Sequence, residues 1–321
     1  MTEPVRPRST ARWLSSRLEI RMLGLAVLIA VSISVLSPYF LKTNNLLNLL
    51  DQSVVVGVVA IGMTFVILTG GIDLSVGSLL GVTAILFGLA VPHVGIAAAV
   101  LLGVFAGGAV GAFSGFLIAR FGLAAFVVTL GVMAIGRSLA YIFSGATAIS
   151  DLPPALGEIA YLPVLGIQLN VVILAGLYVL AWLYLTYTKG GRTIYAIGSN
   201  REAARTAGLN VLGYSILPYV VSGALSAVAG VLLSAQILSI DPLAGTALEL
   251  DAIAAVVIGG ASLYGGRGSI AGTLIGVSIM VMIRNGLNLL GVSPFWQGSA
   301  IGSIIIAAVL AERLLSGRTK A

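Results

Sequence analysis

The residues best suited to chemistry lie where polar side chains interrupt long apolar stretches. Segment 69–75 reads Thr-Gly-Gly-Ile-Asp-Leu-Ser. Gly70 and Gly71 allow backbone conformations that other residues disfavour. The carboxylate of Asp73 can accept a hydrogen bond from the amide of Ser75 or of residue 76 and so start a helix. Two interpretations stay open: a tight cytoplasmic hairpin between two helices, or a broken helix that lines a permeation route.

Segment 189–211 contains a second informative pattern. Ser199 and Glu202 have the Ser-x-x-Glu spacing of a capping box, which predicts that a helix begins at Ser199. Gly208 suits the C-terminal end of that helix. A helix of about two turns is too short to persist alone in water. It must therefore pack on its own membrane domain, on lipid or on a partner protein.

Polar side chains also occur within otherwise apolar segments. Arg137 and Arg284 are such residues, and Asn285 and Asn288 extend a polar face beside Arg284. An arginine at the centre of a membrane helix costs roughly 2.5–3.5 kcal/mol, so each should face the bundle interior or extend to an interface. We expect interior hydrogen bonds here. Asn285 and Asn288 join segment 69–75 as candidate lining of a translocation path.

Several kinds of chemistry are absent from the sequence. There is no cysteine and only one histidine, His93, so a metal site or a histidine-dependent triad within one chain is not expected. No Gly-x-x-x-x-Gly-Lys-[Ser/Thr] loop for nucleotide phosphates is present. No nucleophile, base and metal constellation can be assembled either. We therefore predict no catalytic residues and no enzymatic activity in this chain.

The composition identifies the elements that carry these residues. Of 321 residues, 59% are hydrophobic and 9% are charged, and the mean hydropathy is +1.11. These values exclude an ordinary soluble domain and predict an all-α, polytopic integral membrane protein with one domain over 1–321. Because a span needs about 20 apolar residues, we predict ten membrane helices. They are 20–40, 52–69, 74–91, 94–119, 123–144, 168–188, 212–236, 248–264, 268–290 and 295–315.

The basic residues orient this topology. Lys42 is the only basic residue on one predicted side, and Arg137 and Arg284 lie within spans. The positive-inside rule then places both termini in the cytoplasm, with a basic N-terminus at 1–19 and a cytoplasmic loop at 189–211. Orientation explains the net charge of +6, so nucleic acid is not needed as a partner. The fourteen basic residues on the predicted cytoplasmic side are Arg6, Arg8, Arg12, Arg17, Arg21, Arg120, Lys189, Arg192, Arg201, Arg205, Arg267, Arg313, Arg318 and Lys320.

Small residues recur at steps of four in three predicted helices. Such stripes predict close helix packing, because small side chains allow backbones to approach. The stripes are Gly103, Gly107, Gly111 and Gly115; Gly268, Gly272 and Gly276; and Ser222, Ser226 and Gly230.

The order of the motifs resembles the membrane permease of ribose-type ABC importers from about residue 50 to 315. The matching stretches are Ala-Ile-Gly-Met-Thr at 60–64, Gly-Gly-Ile-Asp-Leu-Ser-Val-Gly-Ser at 70–78, Phe-Val-Val-Thr-Leu-Gly at 126–131, Tyr-Ala-Ile-Gly at 195–198, Glu-Ala-Ala at 202–204, Glu-Leu-Asp-Ala-Ile-Ala-Ala-Val-Val at 249–257, Gly-Gly at 259–260, Gly-Gly-Arg-Gly-Ser at 265–269 and Asn-Gly-Leu-Asn-Leu-Leu-Gly at 285–291.

This resemblance implies a multi-pass protein of the bacterial inner membrane that works by alternating access. Its implied partners are a second copy of itself, cytoplasmic ATP-binding cassette subunits, an extracytoplasmic sugar-binding protein and membrane lipid. Glu202, Ala203, Ala204 and Gly208 look like the motif that couples such permeases to the ATPase, although Leu217-Pro218 follows at a shorter spacing.

The resemblance also implies that the partner ATPase uses ATP and Mg and that this chain binds no cofactor. The binding protein would hold specificity, so no tight sugar site is expected within the spans. The alternative is an ion- or proton-coupled secondary transporter that acts without partner subunits.

Overall fold

A computed structural model describes residues 18–164, 166–293, 296–300, 302–303 and 306. Most of the predicted N-terminal segment 1–19 and much of the predicted last span 295–315 lie outside the described residues. The described helices are α1 (Leu18–Leu36), α2 (Thr43–Leu68), α3 (Val76–Phe121), α4 (Ala125–Ser144), α5 (Pro154–Ala160), α6 (Leu169–Tyr187), α7 (Lys189–Ser199), α8 (Arg201–Thr206), α9 (Val211–Ile237), α10 (Leu248–Ile258) and α11 (Ile270–Leu289).

Among the described residues, seven helices are long and apolar enough to cross a membrane: α1, α2, α3, α4, α6, α9 and α11. Helix α3 has 46 residues but contains a non-helical residue, Gly95, with φ 77° and ψ 168°. This kink separates the two predicted segments 74–91 and 94–119. The seven helices, with α3 counted twice, thus correspond to eight of the ten predicted spans.

The prediction that residues 248–264 form a membrane span is wrong, because the helix there is too short. Helix α10 has 11 residues, which at 1.5 Å per residue is about 16 Å. The hydrocarbon core is about 30 Å thick, so α10 cannot cross it alone. Gly260 has a φ of 93° and ends the helix early. Most of α10 is nonetheless buried, so it is a short helix inside the bundle.

Helix α9 links helices α2 and α3. It packs against both α2 and α3, whereas α2 and α3 make almost no contact with each other. The predicted glycine stripe explains the close approach of α3 and α9, because a Cβ at Gly111 would overlap the carbonyl of Tyr219. Gly107 and Gly223 face each other's carbonyl oxygens in the same way. The prediction that these stripes serve helix packing is confirmed.

Residues 145–164 and 166–167, between α4 and α6, form an ordered cap. It contains α5 and a two-stranded antiparallel sheet, β1 (Pro163–Val164) and β2 (Ile167–Gln168). Leu152 and Leu156 are buried, and Ile149 pairs with Ile240 in an isolated antiparallel bridge. The cap is therefore tied to the segment that links α9 to α10.

Candidate functional site

Segment 69–75 begins where helix α2 ends. Gly70 has a φ of 79°, and its amide donates to the Ile67 carbonyl at 2.9 Å while the Gly71 amide donates to the Val66 carbonyl at 3.2 Å. This is a Schellman motif, which needs a residue that tolerates the left-handed conformation. A side chain at Gly71 would overlap the Tyr219 hydroxyl, so the second glycine is required by packing.

Asp73 is the centre of this segment. Its carboxylate accepts hydrogen bonds from the Ser75 amide at 3.0 Å and from the Ser75 hydroxyl. The predicted capping bond is thus confirmed. A third bond, from the Ser222 hydroxyl at 2.7 Å, comes from α9 and was missed because nothing local in the sequence pairs residues 149 positions apart. With three donors, the carboxylate is satisfied although only 1% of the residue is exposed.

The segment is not a tight hairpin of paired helices, since α2 and α3 hardly touch and α9 packs on both. It connects two separated helices and is covered by protein: the Thr129 hydroxyl of α4 donates to the Ile72 carbonyl at 3.2 Å. Irregular backbone in such a position is tolerated because protein covers it. That Gly70, Gly71, Asp73 and Ser75 line a path remains a prediction.

The connection 189–211 is mostly helical rather than a loop. Helix α7 begins after Thr188, whose hydroxyl accepts a hydrogen bond from the Gly191 amide at 3.0 Å. Ile194 and Ile197 are buried on one face of the helix. The hydroxyl of Tyr195 donates to the Gly268 carbonyl at 2.9 Å. Burial raises the pKa of Tyr195.

The predicted capping role of Ser199 is wrong. Ser199 is the last residue of α7, and its hydroxyl donates back to the Tyr195 carbonyl at 2.9 Å. Asn200 caps α8 instead, because its backbone is extended and its side-chain oxygen accepts from the Ala203 amide at 2.9 Å. Asparagine is at least as good an N-cap as serine. The helix therefore starts one residue later than predicted.

The predicted C-terminal role of Gly208 is confirmed. Gly208 has a φ of 77°, its amide donates to the Arg205 carbonyl at 3.0 Å, and the Leu209 amide donates to the Ala204 carbonyl at 3.2 Å. This is again a Schellman motif. Ala204 is buried, whereas Glu202 and Ala203 are exposed. Helix α8 thus presents most of its side chains to its surroundings.

Just before α8, the end of α7 lies in close contact with the end of α2 and with the loop before α11. We call this contact the glycine junction, and its residues are Leu68, Gly70, Gly198, Gly265 and Gly266. The Gly266 amide donates to the Leu68 carbonyl at 2.9 Å. A Cβ at Gly198 would overlap the Leu68 carbonyl, and one at Gly265 would lie 2.8 Å from the Gly70 nitrogen. The end of α7 is therefore in backbone contact with the end of α2 and with the loop before α11. We call this end of the bundle the junction end.

The mid-helix arginines form interior hydrogen bonds, as predicted. Arg137 donates to the carbonyls of Pro242 and Ala244 at 2.9 and 3.0 Å. The Nη2 atom of Arg284 donates to both oxygens of Asp251 at 2.9 and 2.7 Å. Both arginines thus fasten neighbouring elements, α4 to the segment before α10 and α11 to α10.

The two asparagines next to Arg284 make helix contacts. Asn285 exchanges two amide hydrogen bonds with Asn45 of α2, at 2.9 and 3.0 Å. Asn288 accepts from the Gln297 amide at 2.6 Å. Neither lines the cavity described next. Their assignment to a translocation path stays a prediction.

A cavity of about 400 Å³, lined by both polar and apolar side chains, lies at the opposite end of α2 from the glycine junction. We call it the polar cavity, and this end of the bundle the cavity end. Sequence reasoning did not find it, because its polar residues come from distant segments. It is lined by Asp51, Gln52, Val55, Val56, Tyr161, Leu233, Gln236, Ile237, Gly245, Thr246, Leu248, Asp251, Met280, Val281 and Arg284. Within the described residues, no group of three or more acidic, histidine or cysteine side chains could hold a metal ion.

One wall of the cavity is built around Asp51. Its Oδ1 atom accepts from the amides of Asn170 at 2.6 Å and Gln236 at 2.9 Å. Its Oδ2 atom is 3.4 Å from the hydroxyl of Tyr161. Burial, the charge of Asp51 and the hydrogen bond to it raise the pKa of Tyr161.

Comparison with known proteins identifies the family. Residues 45–310 match the family model described as the branched-chain amino acid transport system permease component. Over 294 residues the chain is 44% identical to the ribose import permease protein of Bacillus subtilis (strain 168), covering 91% of each chain. It is 42% identical to the ribose import permease protein of Escherichia coli (strain K12), covering 94% of this chain and 95% of the relative.

A further relative is the D-allose transport system permease protein of Escherichia coli (strain K12), which is 37% identical over 91% of this chain and 90% of its own length. No solved structure matches the chain. The matches span nearly all of this chain and of each relative. The chain therefore belongs to this family of ABC importer permeases, multi-pass proteins of the bacterial inner membrane that serve as transport subunits beside a separate ATPase.

Proposed function

We propose that the chain forms the translocation path of an ATP-driven importer for a sugar or a similar small polar solute. The relatives named above are permeases for ribose and D-allose. Their high identity over almost the whole chain supports a substrate of the same chemical class. The chain binds no cofactor in this proposal, and the partner ATPase uses ATP and Mg.

The junction end is the cytoplasmic end in this proposal. Lys42 lies at the cavity end, while the other described basic residues outside the helix interiors lie at the junction end. Basic residues are retained on the cytoplasmic side of membrane proteins, so this distribution supports cytoplasmic termini. The basic residues at the junction end are Arg21, Arg120, Lys189, Arg192, Arg201, Arg205 and Arg267.

Coupling to the ATPase is assigned to α8, with Glu202, Ala203, Ala204 and Gly208 as its characteristic residues. The observation that carries this assignment is the position of α8 next to the glycine junction. Helix α8 is exposed and firmly capped at both ends, so it can dock on a partner as a rigid unit. The preceding residues touch the ends of α2 and the loop before α11 through backbone atoms.

Motion of α8 would therefore reach the bundle directly. A close backbone contact leaves no flexible side chain to absorb a displacement, so α2 and α11 would move with α7. These two helices also line the polar cavity at the other end. Closure of the ATPases would in this way reorient the cavity end, which is alternating access.

The remaining partners follow from the surfaces of the chain. A sugar-binding protein would dock at the cavity end. Large apolar side chains such as Leu101 and Phe105 are 70% and 77% exposed, a surface that fits lipid or a second copy of the chain. We include both as partners.

The test is a charge reversal on α8. Glu202→Arg should reduce co-purification of the ATPase subunit and abolish uptake, because a docking surface that carries the wrong charge is repelled. Glu158→Arg is the matched control, since Glu158 is also exposed but lies on α5 at the cavity end. The control should leave ATPase co-purification unchanged.

Two results would contradict the proposal. Glu202→Arg could retain full ATPase binding and uptake, in which case α8 is not the coupling element. Uptake by the reconstituted chain alone under a proton or sodium gradient would instead identify a secondary transporter.

A further inference from the structure

We infer that the polar cavity at the cavity end is a low-affinity binding site for a monosaccharide within the permease itself. The inference rests on the proposed function and deepens it, because the importer would then select its solute at a second point after the binding protein. The cavity has a volume of about 400 Å³, which is within the range of small-molecule sites.

The Asp51 wall offers unused hydrogen-bonding capacity. A carboxylate accepts about four hydrogen bonds, and the two short bonds to Asp51 both go to Oδ1. The Tyr161 hydroxyl is 3.4 Å from Oδ2 and 3.3 Å from the Gln236 carbonyl. Bonds of this length are weak. Oδ2 and the Tyr161 hydroxyl could therefore bond more strongly to hydroxyl groups of a ligand.

The opposite wall offers donors. The Arg284 guanidinium has five N–H groups in total, yet only Nη2 donates to Asp251 among the described residues. The side chain of Arg284 is 38% exposed, whereas that of Asp251 is 8% exposed. Asp251 thus fixes one nitrogen of the guanidinium and leaves Nε and Nη1 for a bound molecule.

The charges and the apolar lining fit a neutral polyol. Asp51, Asp251 and Arg284 together carry more negative than positive charge, which disfavours an anionic solute. Gln52 and Thr246 are exposed side chains of the same cavity: the Gln52 amide can donate and accept, and the Thr246 hydroxyl, which donates to the Leu243 carbonyl, can accept. Apolar lining residues such as Val55 and Met280 would contact the C–H faces of a sugar ring.

The site is built from elements that the proposed mechanism moves. Its walls belong to α2, α9, α10 and α11, to the segment before α10 and to Tyr161 of the cap. Asp51, Gln236 and Arg284 would therefore change their separation when the bundle reorients. A site that loses its geometry in one state releases its ligand in that state.

The test measures sugar contact directly in the permease. The full chain with its ATPase subunits is placed in lipid nanodiscs without binding protein, and saturation-transfer NMR is recorded with D-ribose, D-allose and L-leucine. We expect signals from the sugars and none from L-leucine. Tyr161→Phe and Gln52→Leu should each raise the Kd for the bound sugar about three- to tenfold, the effect of one lost hydrogen bond.

Tyr187→Phe is the matched control, because this tyrosine is 63% exposed and lies at the junction end. It should leave the sugar signal unchanged. Absence of sugar contact, or equal affinity in all variants, would overturn the site. The proposed function is tested separately by uptake and ATPase stimulation with loaded binding protein in the wild-type complex, so the site can fail while import stands. Contact with L-leucine alone would overturn the sugar assignment of the cavity.

Discussion

The glycine junction and the polar cavity lie at opposite ends of α2, and they are built in opposite ways. At the junction, Gly198, Gly265 and Gly266 bring backbone atoms together with no room for a side chain. In the cavity, polar side chains such as Gln236 and Arg284 line an open volume between the helices. In the proposed mechanism, the first construction transmits displacement and the second provides a volume that changes. The same helix can thus carry a rigid contact and a deformable site.

Schellman motifs terminate helices at both ends of the bundle, including α4 at Gly145 and α11 at Gly291 of the cavity end. Helices α2 and α10 both end at the junction end in a Schellman motif, at Gly70 and Gly260. The Gly260 amide donates to Val257 at 2.9 Å and the Ala261 amide to Val256 at 3.1 Å, the same pattern as at Gly70. The left-handed residue is the first glycine of the pair Gly70-Gly71 and the second of the pair Gly259-Gly260.

The largest effect is expected from a side chain in the junction. Gly198→Leu would force atoms into the Leu68 carbonyl and the Gly266 nitrogen, both of which are backbone and cannot move aside. Overpacking costs roughly 1–3 kcal/mol where side chains can adjust, so we expect at least the upper end of that range. The measurement is the melting temperature and yield of the purified protein in detergent.

The matched control for this substitution is Gly176→Leu. A Cβ at Gly176 meets no atom within 4 Å, so the added side chain has space. Equal loss of stability in both variants would show that the junction is not a rigid contact, and the contrast with the cavity would disappear.

The second-largest loss of stability is expected at the ion pair between Arg284 and Asp251 in the polar cavity. Arg284→Met leaves the buried Asp251 carboxylate without its partner, which costs roughly 3–5 kcal/mol in a fully buried pair. Because Arg284 is 38% exposed, water can reach the site, and we expect about 2 kcal/mol. The double variant Arg284→Met with Asp251→Leu should recover most of the loss in thermal unfolding. A double variant less stable than the single one would mean that the ion pair contributes more to stability than two apolar side chains in its place.

How far the sequence could predict these regions depends on whether the signal is local. Asp73 and Gly208 were found because capping and left-handed ends are decided within a few residues. Asn200 was missed because the capping-box spacing of Ser199 and Glu202 competes with it, and only the extent of α7 decides between them. Asp51 gave no signal, since its partners Asn170 and Gln236 lie far along the chain.

Helix α10 is shorter than the predicted span 248–264 for a similar reason, since its end is not decided by the local sequence alone. The apolar run 248–264 continues past Gly259 and Gly260, so hydropathy alone extends the span. The structure ends α10 at Ile258 because the backbone turns at Gly260 to reach the junction. Tertiary contacts, rather than composition, set that boundary.

A smaller loss of stability is expected when a hydrogen bond to Asp73 is removed. Asp73 lies at the junction end and is held there by side-chain contacts. Ser222→Ala removes one of three hydrogen bonds to a buried carboxylate, which should cost about 1.5 kcal/mol. Ser226→Ala is the control one turn later, since its buried hydroxyl bonds only to the Ser222 carbonyl in the same helix. Thermal unfolding should distinguish the two variants by several degrees. If they are equally stable, the bond from α9 does not hold segment 69–75 in place.

The smallest effect is expected at the end of α8. Gly208→Ala places a Cβ on a residue with a φ of 77°, a conformation that costs other residues about 1–2 kcal/mol. No atom lies within 4 Å of that Cβ, so the cost comes from the backbone alone and should fray only the last turn of α8. Faster amide hydrogen exchange at Gly208 and Leu209, with an unchanged global melting temperature, would be the result. The control Gly131→Ala has equal space and a helical backbone, so it should not accelerate exchange. A global loss of stability in Gly208→Ala would mean that α8 is a structural part of the glycine junction and not an independent docking element.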